Sequence, residues 1–214
     1  MLIPRIVTFP FTYTIAKAVS PTKEGPNEDF ERQLQLTGGF SMNRLQSYII
    51  AGILFVLAAG TLSHFLYGWT GNNFIIGLFT PVNESVWEHM KLIFFPMLFY
   101  SIFASAKLKA DYPYIASSLC FSILIGTLLI PVLFYAYTYI LGKNFLVLDI
   151  IIFALSTALA FFTAYKLTIS CRFRFHSILL YCLTGILLIL FILFTYQPPE
   201  MEIFTGFTNA MALT

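Results

Sequence analysis

Five long runs of apolar residues, separated by short polar segments, dominate the pattern of the chain. They cover residues 45–66, 81–106, 114–139, 145–165 and 177–196. A helix that crosses roughly 30 Å of hydrocarbon needs about 20 mostly apolar residues, and backbone groups in lipid must be hydrogen-bonded within the segment. The runs lack the alternating pattern of a membrane β-barrel strand. The sequence therefore predicts an all-α fold, a polytopic transmembrane helix bundle with five spans.

Small residues recur at helical spacing inside two of the runs, which is typical of helices that pack closely in a membrane. The fourth run contains Ser156, Ala160 and Ala164, and the first contains Gly52 and Gly60. We expect these residues to lie in the contacts between helices.

The composition supports a membrane location. Of the 214 residues, 58% are apolar and 10% are charged, whereas about 25% charged residues is usual in soluble domains. These values, with a mean hydropathy of +0.82, exclude an ordinary water-soluble domain. The net charge of +2 is too small, and too dispersed along the chain, to indicate a nucleic-acid partner. The lipid bilayer is the partner that the composition predicts, and no protein partner is identified.

Lys and Arg residues outside the spans are concentrated on one side of the predicted bundle. That side holds Arg44, Lys107, Lys109, Lys166, Arg172 and Arg174, whereas the other side holds only Lys143. Cytoplasmic loops of membrane proteins carry the excess of positive residues. The pattern predicts a multi-pass protein of the plasma membrane, with its amino end in the cytoplasm and its carboxyl end outside.

The chain divides into three parts by composition. Residues 1–41 are rich in Pro and Gly, carry an acidic patch at 28–31 and show no sustained period, so we expect a disordered or non-native extension. A start of translation at Met42 would make this extension non-native. Residues 42–204 form the predicted five-span membrane domain, and residues 205–214 form a short tail.

The second run begins with residues that favour a helix start at its first position. Thr80 is the predicted N-cap, and Pro81 is the predicted first helical residue. At about 100° per residue, a helix that starts there would place Glu84, Glu88 and Lys91 on one stripe. Glu88 and Lys91 are three residues apart and would form an ion pair.

Three further titratable residues are expected at a similar depth. His89 lies beside that stripe, His64 lies near the end of the first run, and Asp149 lies one turn into the fourth. Such residues usually face the bundle or a water-filled cavity, because a charge at mid-bilayer costs at least about 2.5 kcal/mol. The apolar segment 74–79 is too short to cross the membrane and would cap this cluster. The candidate binding residues are His64, Glu84, Glu88, His89, Lys91 and Asp149.

Two functional hypotheses use this cluster. In the first, an integral membrane protein without enzymatic activity binds a small polar solute or an ion in an outward-facing pocket. In the second, His64, His89 and a carboxylate hold zinc or another divalent metal, whose bound water acts in a membrane hydrolase. Glu88 is the carboxylate of the preferred set, and Glu84 is the alternative. The spacing matches no established motif such as His-Glu-x-x-His, and no catalytic residue or further cofactor is assigned.

A third hypothesis gives the cluster only a structural role. Glu88 would pair with Lys91, and Asp149 would pair with either Lys91 or Lys143, to fix the register of the helices. Both histidines would be hydrogen-bonded inside the bundle. The distances among these side chains separate the three hypotheses.

One segment carries a resemblance to a known family. Residues 64–73 and 77–92, which include the sequence Pro-Val-Asn-Glu-Ser-Val-Trp-Glu-His, resemble an uncharacterised family of small bacterial integral membrane proteins known as a domain of unknown function. The resemblance covers roughly residues 42–204. It implies a multi-pass membrane protein, and it supplies no activity, substrate or cofactor.

Overall fold

The computed structural model describes residues 44–170 and 177–205, and the regular elements in these ranges are helices. They are α1 (Arg44–Trp69), α2 (Phe74–Gly77), α3 (Val86–Leu108), α4 (Ile115–Leu141), α5 (Leu146–Ser170), α6 (Ser177–Phe194) and a 3-10 turn (Glu202–Phe204). Five of them, α1 and α3 to α6, are long and apolar enough to cross a membrane. The predicted all-α bundle of five such helices is confirmed. The expectations for residues 1–41 and 206–214, and for Arg172 and Arg174, lie outside the described residues.

Helix α3 lies at the centre of the bundle. In its apolar stretch 56% of the residues are buried, against 17–33% in the other four long helices. It packs against α1 and α4, while α5 packs against α4 and α1, and α6 packs against α4. The outer helices expose large apolar side chains such as Leu54, Leu62 and Ile178. Such a surface suits hydrocarbon, and the polar residues of α3 are instead shielded by its neighbours.

Small residues lie in close contacts between helices, as the sequence predicts. A Cβ atom on Gly52 would lie 2.4 Å from a ring carbon of Phe161, and one on Gly60 would lie 2.6 Å from the carbonyl oxygen of Leu92. These distances are too short for any side chain, so glycine permits α1 to approach α3 and α5. The predicted small residues of α5 are fully buried: Ser156, Ala160 and Ala164.

The start of α3 differs from the sequence expectation. The helix begins at Val86, and Ser85 is its N-cap, with an extended backbone and a hydroxyl that accepts the amide N–H of Glu88 at 3.3 Å. Thr80 instead bonds back to α2, because its hydroxyl donates to the carbonyl of Ile76 at 2.9 Å. The expectations that Thr80 caps the helix and that Pro81 is its first residue were both wrong.

A local turn explains this later start. The side-chain oxygen of Asn83 accepts the amide N–H of Ser85 at 2.9 Å, a bond that competes with helical hydrogen bonding. Residues 78–85 therefore form a loop between α2 and α3. Because Glu84 lies in this loop, the expectation that it shares a helical stripe with Glu88 and Lys91 was also wrong.

Candidate functional site

Three side chains with metal-ligand chemistry meet at one end of the bundle. His64 comes from the end of α1, Glu84 from the loop before α3, and His89 from the first turn of α3. His89 Nε2 lies 3.4 Å from Glu84 Oε2, and His64 Nε2 lies 3.9 Å from Glu84 Oε1. One ligand atom from each residue lies within 4.8 Å of the other two. We call these three residues the ligand cluster, and this end of the bundle the site end.

The hydrogen bonding of His89 determines what its ring presents to the cluster. Its Nδ1 lies 2.8 Å from the carbonyl oxygen of Ser85. Because a carbonyl oxygen only accepts hydrogen bonds, Nδ1 carries a proton and donates it, and Nε2 faces the carboxylate of Glu84. A lone pair on Nε2 would repel that carboxylate, so attraction requires a proton or a metal cation between them. Metal-ligating histidines commonly donate their other nitrogen to a backbone carbonyl in this way.

His64 supplies the second imidazole. Its Nε2 faces Glu84, and its ring centroid lies 5.3 Å from that of His89. Its Nδ1 is buried and has no hydrogen-bond partner in the part of the chain that the structure describes. The expectation that both histidines are hydrogen-bonded in the bundle therefore holds for His89 and was wrong for His64.

Glu84 is the most accessible member of the ligand cluster. Its side chain is 76% exposed, against 28% for each of the two histidines. The hydrogen bond from His89 holds the pKa of the Glu84 carboxyl below its ordinary value; partial burial opposes this effect, and the charges of His89 and His64 add to it. At neutral pH the group is therefore an ionised carboxylate that water and small solutes can reach.

Glu88 and Lys91 form a separate, buried group on α3. Lys91 Nζ donates to Glu88 Oε2 at 2.7 Å, to the hydroxyl of Thr195 at 2.7 Å and to the carbonyl of Gly77 at 3.2 Å. Glu88 Oε2 also accepts the amide N–H of Val82 at 3.0 Å. The predicted ion pair is confirmed. Its carboxylate is bound by Lys91, whereas the carboxylate beside the histidines is that of Glu84.

Asp149 has a partner that was not expected. Its carboxylate accepts a hydrogen bond from the hydroxyl of Tyr137 at 2.5 Å, and the same hydroxyl accepts the amide N–H of Phe145 at 3.2 Å. Lys143 lies over the ring of Phe145, 4.9 Å from its centroid. Lys91 directs its ammonium group to the three acceptors described above. The expected pairing of Asp149 with either lysine was therefore wrong.

Several contributors to the site end were missed by sequence reasoning. Thr195 acts through a hydroxyl, and Gly77 and Val82 act through backbone groups, so their roles depend on how distant segments meet. The one signal for Gly77 was the short apolar segment 74–79, which was expected to cap the cluster. Tyr137 gave no signal, because a tyrosine near the end of a span is common in membrane proteins.

Comparison with known proteins identifies the family of the chain. Residues 40–211 match a family described as "Family of unknown function (DUF6512)". No curated protein and no solved structure matches the chain. The match covers most of the sequence and includes all of the ligand cluster and the Glu88–Lys91 pair. The chain therefore belongs to this family of unknown function.

Proposed function

We propose that this protein is a multi-pass membrane protein that binds a divalent metal ion through His64, Glu84 and His89. The proposal rests on three ligand atoms, contributed by three separate segments, that lie within 4.8 Å of one another. Two ligands on a tetrahedral zinc ion, each about 2.1 Å from the metal, lie about 3.4 Å apart. His89 Nε2 and Glu84 Oε2 are separated by 3.4 Å.

Zinc is the ion that suits this ligand set best. Two imidazoles and one carboxylate are ligands that zinc takes in proteins, and softer thiolate ligands are not part of the cluster. Three protein ligands leave a fourth position for water or a small solute, and the exposed side of Glu84 gives access to it. A hydrolase would use the same three ligands. Glu88 is paired with Lys91, and Asp149 is hydrogen-bonded to Tyr137. Because both carboxylates are engaged in this way, we propose metal binding and assign no reaction.

We further propose that the site end faces the outside of a plasma membrane. Arg44 lies at the opposite end of the bundle, where it pairs with Asp111 at 2.6 Å and donates to the carbonyl of Lys107 at 3.1 Å. Lys109 lies in the same connection between α3 and α4. The excess of Lys and Arg marks the cytoplasmic side. The amino end of the membrane domain would then be cytoplasmic, and the ligand cluster would be exposed to the external medium.

The metal content of untagged protein in mild detergent tests the binding proposal. We expect about one zinc ion per chain, from the three-ligand site found among residues 44–170 and 177–205. Replacement of a ligand in His64→Ala, Glu84→Gln or His89→Ala should weaken binding by more than the roughly 10- to 100-fold that loss of an outer-shell partner costs. His176→Ala is the matched control, since it removes the third histidine of the chain. Zinc affinity equal in the wild type and in His64→Ala/His89→Ala would refute the proposal.

A further inference from the structure

We propose that Glu88 and Lys91 are positioning residues that fix Glu84 in the ligand cluster, an inference that rests on the proposed metal binding. The two side chains are 2% and 0% exposed, so they are shielded from solvent. They act through the backbone of the loop that carries Glu84. The inference rests on the hydrogen bonds between this buried pair and residues 77–85.

The side chains of the pair hold the segment 77–85 at two places, and the N-cap of α3 holds it at a third. Just before the loop, the carbonyl of Gly77, the last residue of α2, accepts a hydrogen bond from Lys91 Nζ. In its middle, the amide of Val82 donates to the carboxylate of Glu88, two residues before Glu84. At its end, the hydroxyl of Ser85 accepts the amide N–H of Glu88. The backbone on both sides of Glu84 is therefore fixed by one turn of α3.

The ammonium group of Lys91 has no donor left over. It carries three N–H donors, and its three bonds go to Glu88, Gly77 and Thr195. A fully satisfied polar network in a region of low dielectric constant rigidifies what it connects. Through Thr195, which directly follows α6, the network also ties the loop to another helix. Glu84, although exposed, is thus presented from a fixed backbone.

Close packing around the end of α2 leaves little room for the loop to shift. A Cβ atom on Gly77 would lie 2.3 Å from the hydroxyl oxygen of Tyr196 and 2.7 Å from Cγ1 of Val82. Tyr196 is itself held, because its hydroxyl donates to the carbonyl of Phe74 at 2.9 Å and the two rings stack with centroids 4.6 Å apart. Packing and the ion pair therefore act on the same segment.

A double-mutant cycle tests the inference. In Glu88→Gln/Lys91→Met both charges are replaced, so neither is left buried alone. We expect zinc affinity to fall by roughly 10- to 100-fold, the usual cost of losing an outer-shell partner. Adding Glu84→Ala to this variant should cause no further loss, because Glu84 is already displaced. If the two effects multiply as independent sites do, the positioning role is refuted.

A spectroscopic readout separates positioning from general destabilisation. With cobalt in place of zinc, the visible spectrum of Glu88→Gln/Lys91→Met should match that of Glu84→Ala, because both have lost the carboxylate ligand. A wild-type spectrum at saturating cobalt would overturn the inference. The matched control is Arg44→Met/Asp111→Asn, which removes an ion pair at the opposite end and should leave zinc affinity unchanged.

A second variant keeps the test decisive if the double replacement does not fold. Gly77→Val retains both charges but needs the space of Val82 and Tyr196, so it should displace the loop. It should lower zinc affinity, again with no added loss from Glu84→Ala, and an additive loss would refute the inference. Failure of the metal-binding proposal is distinguishable: there the wild type and His64→Ala/His89→Ala bind zinc alike. Failure of this inference alone leaves that difference intact.

Discussion

Lys91 is a cation buried completely in the most buried long helix of the bundle, and its partners explain how this is tolerated. Its three donors meet a carboxylate, a hydroxyl and a carbonyl. Desolvating a charge is costly, and the cost is offset only when geometry and hydrogen bonding are complete. Removing one member of such a pair leaves the other charge uncompensated. We therefore expect the replacement of both members to cost less stability than the replacement of either one alone.

The stability of single and double replacements checks this account. Lys91→Met should lower the free energy of unfolding by about 3–5 kcal/mol, because the Glu88 carboxylate remains buried without its cation. In Glu88→Gln/Lys91→Met most of that loss should be recovered, because no charge is then left buried without its partner. Reversible unfolding in mild detergent, monitored through the loss of helicity, measures the free energy of unfolding of both variants. Equal losses in the single and double variants would contradict the account.

At the scale of secondary structure, the long helices follow from hydrophobic patterning, whereas the start of α3 does not. Five apolar runs were sufficient to predict five helices, because length and apolarity are properties of each segment alone. The start at Val86 depends on competition between Thr80-Pro81 and Ser85 as helix caps. The Asn83 side chain decides it by bonding to the Ser85 amide. Such local competition is hard to rank from sequence.

The candidate site was predictable in its residue types and only partly in its pairing. Titratable residues in apolar runs indicated His64, His89 and the carboxylates, and the spacing of Glu88 and Lys91 predicted their ion pair. The choice between Glu84 and Glu88 beside the histidines depended on where α3 begins. Because Glu84 lies in the loop and not in the helix, its carboxylate reaches the two histidines. Its partners come from α1 and α3, so only the tertiary structure shows them together.

The glycines of α1 give a prediction at the same scale. Gly60→Val should cost roughly 1–3 kcal/mol, the usual effect of overpacking. The carbonyl oxygen of Leu92 would lie 2.6 Å from the new Cβ and moves only with α3. Gly185→Val is the matched control, because a Cβ there meets nothing within 4 Å. Thermal unfolding in detergent measures both variants, and losses of equal size would show that the α1 contact does not limit stability.

At the scale of the whole molecule, the two ends of the bundle carry different chemistry. Arg44 and His64 both lie on α1, and at 1.5 Å per residue they are about 30 Å apart along its axis, close to the thickness of the hydrocarbon core. One end holds the Arg44–Asp111 pair with Lys107 and Lys109. The other holds the ligand cluster. A span of this length would place a basic end and a metal-ligand end on opposite sides of the membrane.

Cysteine labelling tests the proposed orientation. In a background without Cys120, Cys171 and Cys182, Gly68→Cys introduces a thiol at the site end, where the space around residue 68 is open. Lys109→Cys introduces an exposed thiol at the opposite end. A membrane-impermeant maleimide applied to intact cells should label the first and spare the second, because Lys and Arg are retained on the cytoplasmic side. Permeabilised cells, in which both thiols should react, are the control. Labelling of Lys109→Cys alone in intact cells would reverse the orientation and place the ligand cluster on the cytoplasmic side.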